Sequence, residues 1–180
     1  MIKVGISGKI ASGKSEVEKI LQELNYKVFD LDVLSHNLFE NLNIKNALQN
    51  EFQTLDRKEI GNIVFADVNK KKKLESIIYP ELEKKIFELF DKYKNEKYIF
   101  ISGALLFKSG FYKFFDKIIY IDAPESVRLE RLMKRNNLDK KTALERLNLQ
   151  DESNLADFLI QNNSNIKALK EKVLNILNLI

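Results

Sequence analysis

Short unbroken apolar runs alternate along this chain with longer stretches whose apolar residues recur every three or four positions. Residues 2–6 (Ile-Lys-Val-Gly-Ile) read as a short buried strand. After a glycine-bearing loop, Val17, Ile20, Leu21 and Leu24 fall at helical spacing, and residues 26–31 form the next strand candidate. A further helix is expected from near Val33, and residues 34–97 are largely helical in pattern. Leu82, Ile86, Leu89 and Tyr93 mark an apolar stripe on the last helix of that stretch, with Pro80 suited to its first turn. Residues 98–101 (Tyr-Ile-Phe-Ile) and 118–121 (Ile-Ile-Tyr-Ile) are continuous apolar strands, as burial on both faces of a parallel sheet requires. Residues 158–160 supply a fifth strand. Ile166, Leu169, Val173, Ile176, Leu177 and Ile180 line a C-terminal helix.

Strands alternating with helices predict an α/β fold of three layers around a five-stranded parallel sheet. There is no internal repeat and no glycine- or proline-rich linker, and Pro80 and Pro124 are the only prolines. One domain with lobes is the economical organisation for 180 residues. The chain is 44% hydrophobic, ample for a core, and no apolar run reaches the ~18–20 residues that span a bilayer. With no cysteine, disulfides and thiolate metal sites are excluded, and a cytoplasmic location is expected. The net charge of +4 favours polyanionic partners, nucleotides included, although the lysines at 70–73 read best as a solvated face.

The most specific signal is Gly8-x-x-x-x-Gly13-Lys14-Ser15, directly after a strand and at the opening of an amphipathic helix. Such a loop wraps a phosphate with backbone N–H groups, and glycines at 8 and 13 permit conformations closed to residues with a Cβ. The helix that follows aims its positive end at the anion. Lys14 is expected to bridge the β- and γ-phosphates of ATP, and the Ser15 hydroxyl to ligate Mg²⁺. The expected nucleotide contacts are Gly8, Lys9, Ile10, Ala11, Ser12, Gly13, Lys14, Ser15 and Glu16.

Phosphate binding alone does not choose a reaction. No Asn-Lys-x-Asp stretch for guanine occurs, and the chain is short for a motor. Asp30 and Asp32 lie at the carboxyl end of the strand after the loop helix, where ligands of open α/β sheets sit. Either carboxylate could orient an acceptor hydroxyl, take its proton, or hold Mg²⁺ through water, with Asp32 the better candidate. Arg128, Arg131 and Arg135 fall on one face of a later helix, and Arg146 on the next. Two arginine-bearing helices joined by a polar turn have the form of a lid that closes on ATP, with Arg131, Arg135 and Arg146 placing positive charge on the transferring group. His36, the single histidine, reads as structural or exposed.

At this point the chain resembles the dephospho-coenzyme A kinases. Residues 7–15 (Ser-Gly-Lys-Ile-Ala-Ser-Gly-Lys-Ser) are similar to that family's loop, with Lys9 and Ala11 where it has glycines. Asp30-Leu31-Asp32 looks like its Asp-x-Asp, whose second member is the presumed base. Residues 104–108 loosely match its leucine-pair segment, and residues 120–135 its strand, proline turn and arginine helix. Arg146 and Gln150 resemble its lid motif, and Ala156, Asp157, Asn162 and Asn163 its adenine-side ending. The resemblance runs through nearly the whole chain in one order. It implies a P-loop kinase fold with a core of residues 1–33, 96–127 and 155–180, an acceptor-binding helical region at 34–95 and a lid at 128–150. It further implies ATP-dependent phosphorylation of the ribose 3′-hydroxyl of dephospho-coenzyme A. Asp30, Asp32, Tyr79, Leu105 and Leu106 would then face the acceptor, Asn162 and Asn163 the nucleotide, and Ser15 and Asp32 the Mg²⁺. Neither nucleic acid nor membrane is an expected partner, and oligomeric state is left open. The rivals are another P-loop kinase acting on a small molecule or nucleoside monophosphate, and a nucleotide-dependent switch or nucleic-acid-binding protein.

Overall fold

Five parallel strands organise the protein in the computed structural model, which describes residues 1–147 and 155–180. They are β1 (Ile2–Gly8), β2 (Lys27–Asp30), β3 (Tyr98–Ser102), β4 (Lys117–Asp122) and β5 (Phe158–Gln161), in the order β2-β3-β1-β4-β5. The runs that read as doubly buried occupy the middle: β3 is buried throughout and β1 from Val4 to its end. Register pairs Ile6 with Ser102 on one side of β1 and Gly8 with Ile121 on the other.

One face of the sheet is covered by α1 (Lys14–Glu23) and α8 (Ile166–Leu177). Val17, Ile20 and Leu21 pack there with Leu169, Val173, Ile176 and Leu177 over Val4, Ile6, Ile119 and Ile121. Ile166 departs from the expected stripe and is exposed, because it holds the first helical position, before the stripe meets the sheet. On the opposite face the chain approaches β1 closely: a Cβ on Gly5 would lie 2.6 Å from Ile118 Cδ1 and 2.8 Å from Leu106 Cδ2.

The chain divides into two compact units, Met1–Asp30 with Asn95–Ile180, and Leu31–Lys94. The second is all helical: α2 (Leu31–Leu38), α3 (Leu42–Phe52), α4 (Arg57–Ala66) and α5 (Val68–Lys92). Asn41, Asp56 and Asp67 cap α3, α4 and α5 by accepting from N–H groups two and three residues on. The Asp67 cap corrects the expectation for Pro80. The helix starts at Val68, so Pro80 lies well inside it rather than in its first turn. An interior proline costs about 3 kcal/mol; burial of Ile78, Leu82, Ile86 and Phe90 along one face offsets it.

In the first unit, α6 (Glu125–Asn136) and α7 (Lys140–Leu147) form a small cluster of their own. Leu132, Ala143 and Leu147 are its centre, and Ile10 and Ala11 of the loop after β1 pack against it. No helix among the described residues is long and apolar enough to cross a membrane.

Candidate functional site

The loop between β1 and α1 is shaped by contacts with the neighbouring strand ends. Lys9 N donates to Ile121 O at 3.1 Å, and Ser12 N folds back to Lys9 O at 3.0 Å. Gly8 is required by space: its φ is not positive, but a Cβ there would collide with Ile121 O. This corrects the expectation that its backbone conformation demands glycine. Gly13 does need that freedom, at φ 105°, and a Cβ there would strike Asn162 Nδ2. Ala11 also sits in the left-handed region, at φ 60°, where a side chain costs about 1–2 kcal/mol; its methyl packs on the α6–α7 cluster, which offsets that strain. Lys14 and Ser15 open the first helical turn, where the leading N–H groups of a helix lack an intrahelical acceptor, and Glu16 N already donates to Gly13 O at 3.0 Å.

Two side chains grip the loop's carbonyls from behind. Asn162, buried at the end of β5, donates from Nδ2 to Ser12 O at 2.7 Å. Arg131 on α6 donates to Ser12 O at 3.3 Å and Ala11 O at 3.5 Å, and to Asn162 O at 3.3 Å. These bonds fix the carbonyls of Ala11 and Ser12 where the loop turns into α1. Asn162→Ala should therefore leave Ser12 O with only its longer Arg131 bond and lower unfolding free energy by about 0.5–1.5 kcal/mol. A shift in the urea midpoint together with a weaker ATP dissociation constant checks it.

Lys14 is held between two carboxylates, with Glu18 Oε1 at 2.8 Å and Asp30 Oδ2 at 3.8 Å. Ser15 is exposed at the helix mouth, and Glu16 pairs with Lys19 along the helix surface at 2.8 Å. Lys9 turns to Asp122 at the end of β4, 3.2 Å away. The arginines divide by position. Arg128 is buried and donates to Ala123 O at 3.0 Å; Arg135 is exposed and reaches Asn136 at 2.8 Å; Arg146 is exposed at the end of α7. Asn163 accepts from Ser164 at 3.2 Å. Leu105 is exposed, whereas Leu106 is fully buried against Gly5. Gln150 and the end of the expected lid lie outside the described residues.

In the second unit, Asp32 occupies the first turn of α2 and is exposed, and His36 is exposed in its last. Tyr79 is half-buried in α5. Burial, then the charge of Glu75 one turn earlier and a hydrogen bond to it, pushes its phenol up to about 12. At neutral pH it is therefore a donor.

Residues 2–168 match the protein family described as Dephospho-CoA kinase. The chain belongs to the dephospho-CoA kinase family. It is an enzyme with that family's ATP-dependent kinase activity. Dephospho-CoA kinase of Oceanobacillus iheyensis is 33% identical over 190 residues, covering 97% of this chain and 95% of the relative. Among solved structures, TT1252 from Thermus thermophilus superposes with a TM-score of 0.88 at 28% identity, covering 99% and 97% of the two chains. Dephospho-CoA kinase from Campylobacter jejuni gives 0.72 at 29% identity, covering 98% and 95%.

Within this dephospho-CoA kinase family member, sequence reasoning missed two residues. Glu18 was findable, since it stands four positions after Lys14 on the same helix. Asp122 had no such signal, because its partner Lys9 is 113 residues away. Ser12 was expected among the nucleotide contacts; its hydroxyl is buried with no hydrogen-bond partner among the described residues.

Proposed function

We propose that the chain transfers the γ-phosphoryl group of ATP to the 3′-hydroxyl of the ribose of dephospho-CoA. The observation that carries this is the loop at residues 8–15, whose Ser12 carbonyl is held by Asn162 and Arg131 where the loop leads into the start of α1. A polyanion docked there meets first-turn amides, the helix dipole and the Lys14 ammonium together.

Asp32 is the base. It takes the 3′-hydroxyl proton as that oxygen bonds to the γ-phosphorus, and the bond from phosphorus to the bridging oxygen breaks, leaving its electron pair on ADP. Lys14 follows the β- and γ-phosphates and stabilises the charge that builds on the leaving oxygen. Asp30, beside Lys14, keeps that ammonium aimed at the loop. The exposed hydroxyl of Ser15 and the carboxylate of Asp32 are hard oxygen donors of the kind Mg²⁺ takes, and the ion would neutralise phosphate charge there. Arg135 and Arg146, exposed on α6 and α7, are the lid cations, and Arg131 serves the transition state through the loop it braces. Asn162 and Asn163 border the adenine side. Residues 34–95 bind the acceptor, Tyr79 among them, and Leu105, beyond the end of β3, offers apolar contact.

Incubation of the purified chain with Mg·ATP and an acceptor panel tests this reading. Mass spectrometry should find one phosphoryl group added to dephospho-CoA, removable by a 3′-nucleotidase. Equal or faster turnover of nucleoside monophosphates or simple sugars would sink it, as would ADP release with no phosphorylated product.

A further inference from the structure

Lys9 is a loop residue whose ammonium is turned to the end of a neighbouring strand. Its ammonium lies 3.2 Å from Asp122 Oδ2, and both side chains are largely buried, with 17% and 20% exposed. Asp122 is a junction. Its other carboxylate oxygen accepts from Ala123 N at 2.8 Å, and its carbonyl accepts from Asn162 N at 2.7 Å. Ala123 O in turn receives Arg128 Nε.

Register puts this carboxylate beside the cradle. Gly8 is paired with Ile121 on the adjacent strand, so Asp122 is the next residue outward on β4, a strand spacing of about 4.8 Å from the loop's first residue. A negative charge there, only partly in solvent, opposes the approach of a triphosphate carrying several charges of the same sign.

We propose that Lys9 is a positioning residue that neutralises Asp122 at the rim of the phosphate cradle, so that ATP binds without meeting an uncompensated carboxylate. The lysine serves the nucleotide through Asp122 and does not contact it. The proposal rests on residues 8–15 being the ATP site.

The test is a double-mutant cycle of Lys9→Met, Asp122→Asn and the pair together, with Lys9→Arg as the conservative variant. ATP dissociation constants are read by calorimetry at low and high salt, KM and kcat by an ADP-coupled assay, and folding by thermal melts. Lys9→Met should weaken ATP about tenfold, or about 1.4 kcal/mol, with kcat and the KM for dephospho-CoA within about threefold of wild type. That defect should shrink at high salt. Lys9→Arg and Asp122→Asn should stay within about threefold, and the double variant should recover to the same range.

A double variant as weak as Lys9→Met overturns the proposal, since the lysine then acts on ATP itself. So does an unchanged Lys9→Met, an insensitivity of its defect to salt, or an Asp122→Asn as weak as Lys9→Met. If Lys9→Met fails to fold, Lys9→Gln is read in its place. Lys14→Met separates the levels: if it too leaves ATP binding intact, the cradle reading falls; if it abolishes binding while the cycle fails, only the role of Lys9 falls.

Discussion

Replacing Lys14 by methionine is expected to lower kcat/KM for ATP by about 10²–10³-fold, the scale set by removing one preorganised donor from a developing oxyanion. Methionine keeps an unbranched stem, so the loss falls on the charge. In the free protein that charge is already engaged, 2.8 Å from Glu18 and 3.8 Å from Asp30. Those carboxylates hold the ammonium at the helix mouth, and without it they would face the incoming phosphates with their own negative charge. Part of the loss should therefore appear in ATP affinity. Lys14→Met/Glu18→Gln removes one of the stranded carboxylates and should recover some binding but no turnover. Steady-state kinetics with calorimetric ATP titration separates the two effects. Turnover by Lys14→Met within about threefold of wild type would remove the lysine from the reaction.

Much of the fold was legible because its signals are local or doubly constrained. The central strands are buried on both faces, so residues 98–101 and 118–121 had to be apolar without interruption. The loop of residues 8–15 announced itself by residues that only a tight strand-to-helix turn needs, although the reason for Gly8 proved to be the crowding of Ile121 O. Pro80 misled because proline at a helix start is the common case. The stronger signal was Asp67, whose side chain accepts from Asn69 and Lys70 at the true start of α5.

The candidate site divides in the same way. Lys14, Ser15 and Asp30 could be placed because a strand end and a helix mouth locate them within a few residues. Spacing put Arg128, Arg131 and Arg135 on one helix face, with Arg131 and Arg135 the expected lid cations. Packing made them unequal: one is tied to Ala123, one braces the loop and one is exposed. Nothing in a 3.6-residue period distinguishes them, because the partners come from β4, the loop and solvent. Leu105 and Leu106 make the same point, adjacent in sequence yet one exposed and the other wholly buried. Asn162 is the sharpest case. An amide side chain expected near the nucleotide holds Ser12 O, a contact across 150 residues that only the folded sheet creates.

Asp32→Asn is the variant that separates chemistry from binding. Asparagine preserves shape and can still meet a hydroxyl, but it cannot accept its proton, so kcat should fall by about 10²–10⁴-fold while ATP affinity changes little. Two local features fit Asp32 to the role. It sits in the first turn of α2, and it is exposed to an arriving acceptor. Asp30, two residues earlier, is already committed to Lys14. Asp30→Asn should consequently act mainly through the lysine, raising the KM for ATP by a modest factor and sparing much of kcat. The comparison is run under single-turnover conditions with ATP saturating, where wild type should be fast and Asp32→Asn slow. If Asp30→Asn is the slow variant and Asp32→Asn stays within about threefold of wild type, the two carboxylates exchange roles and the proton leaves through the residue at the end of β2.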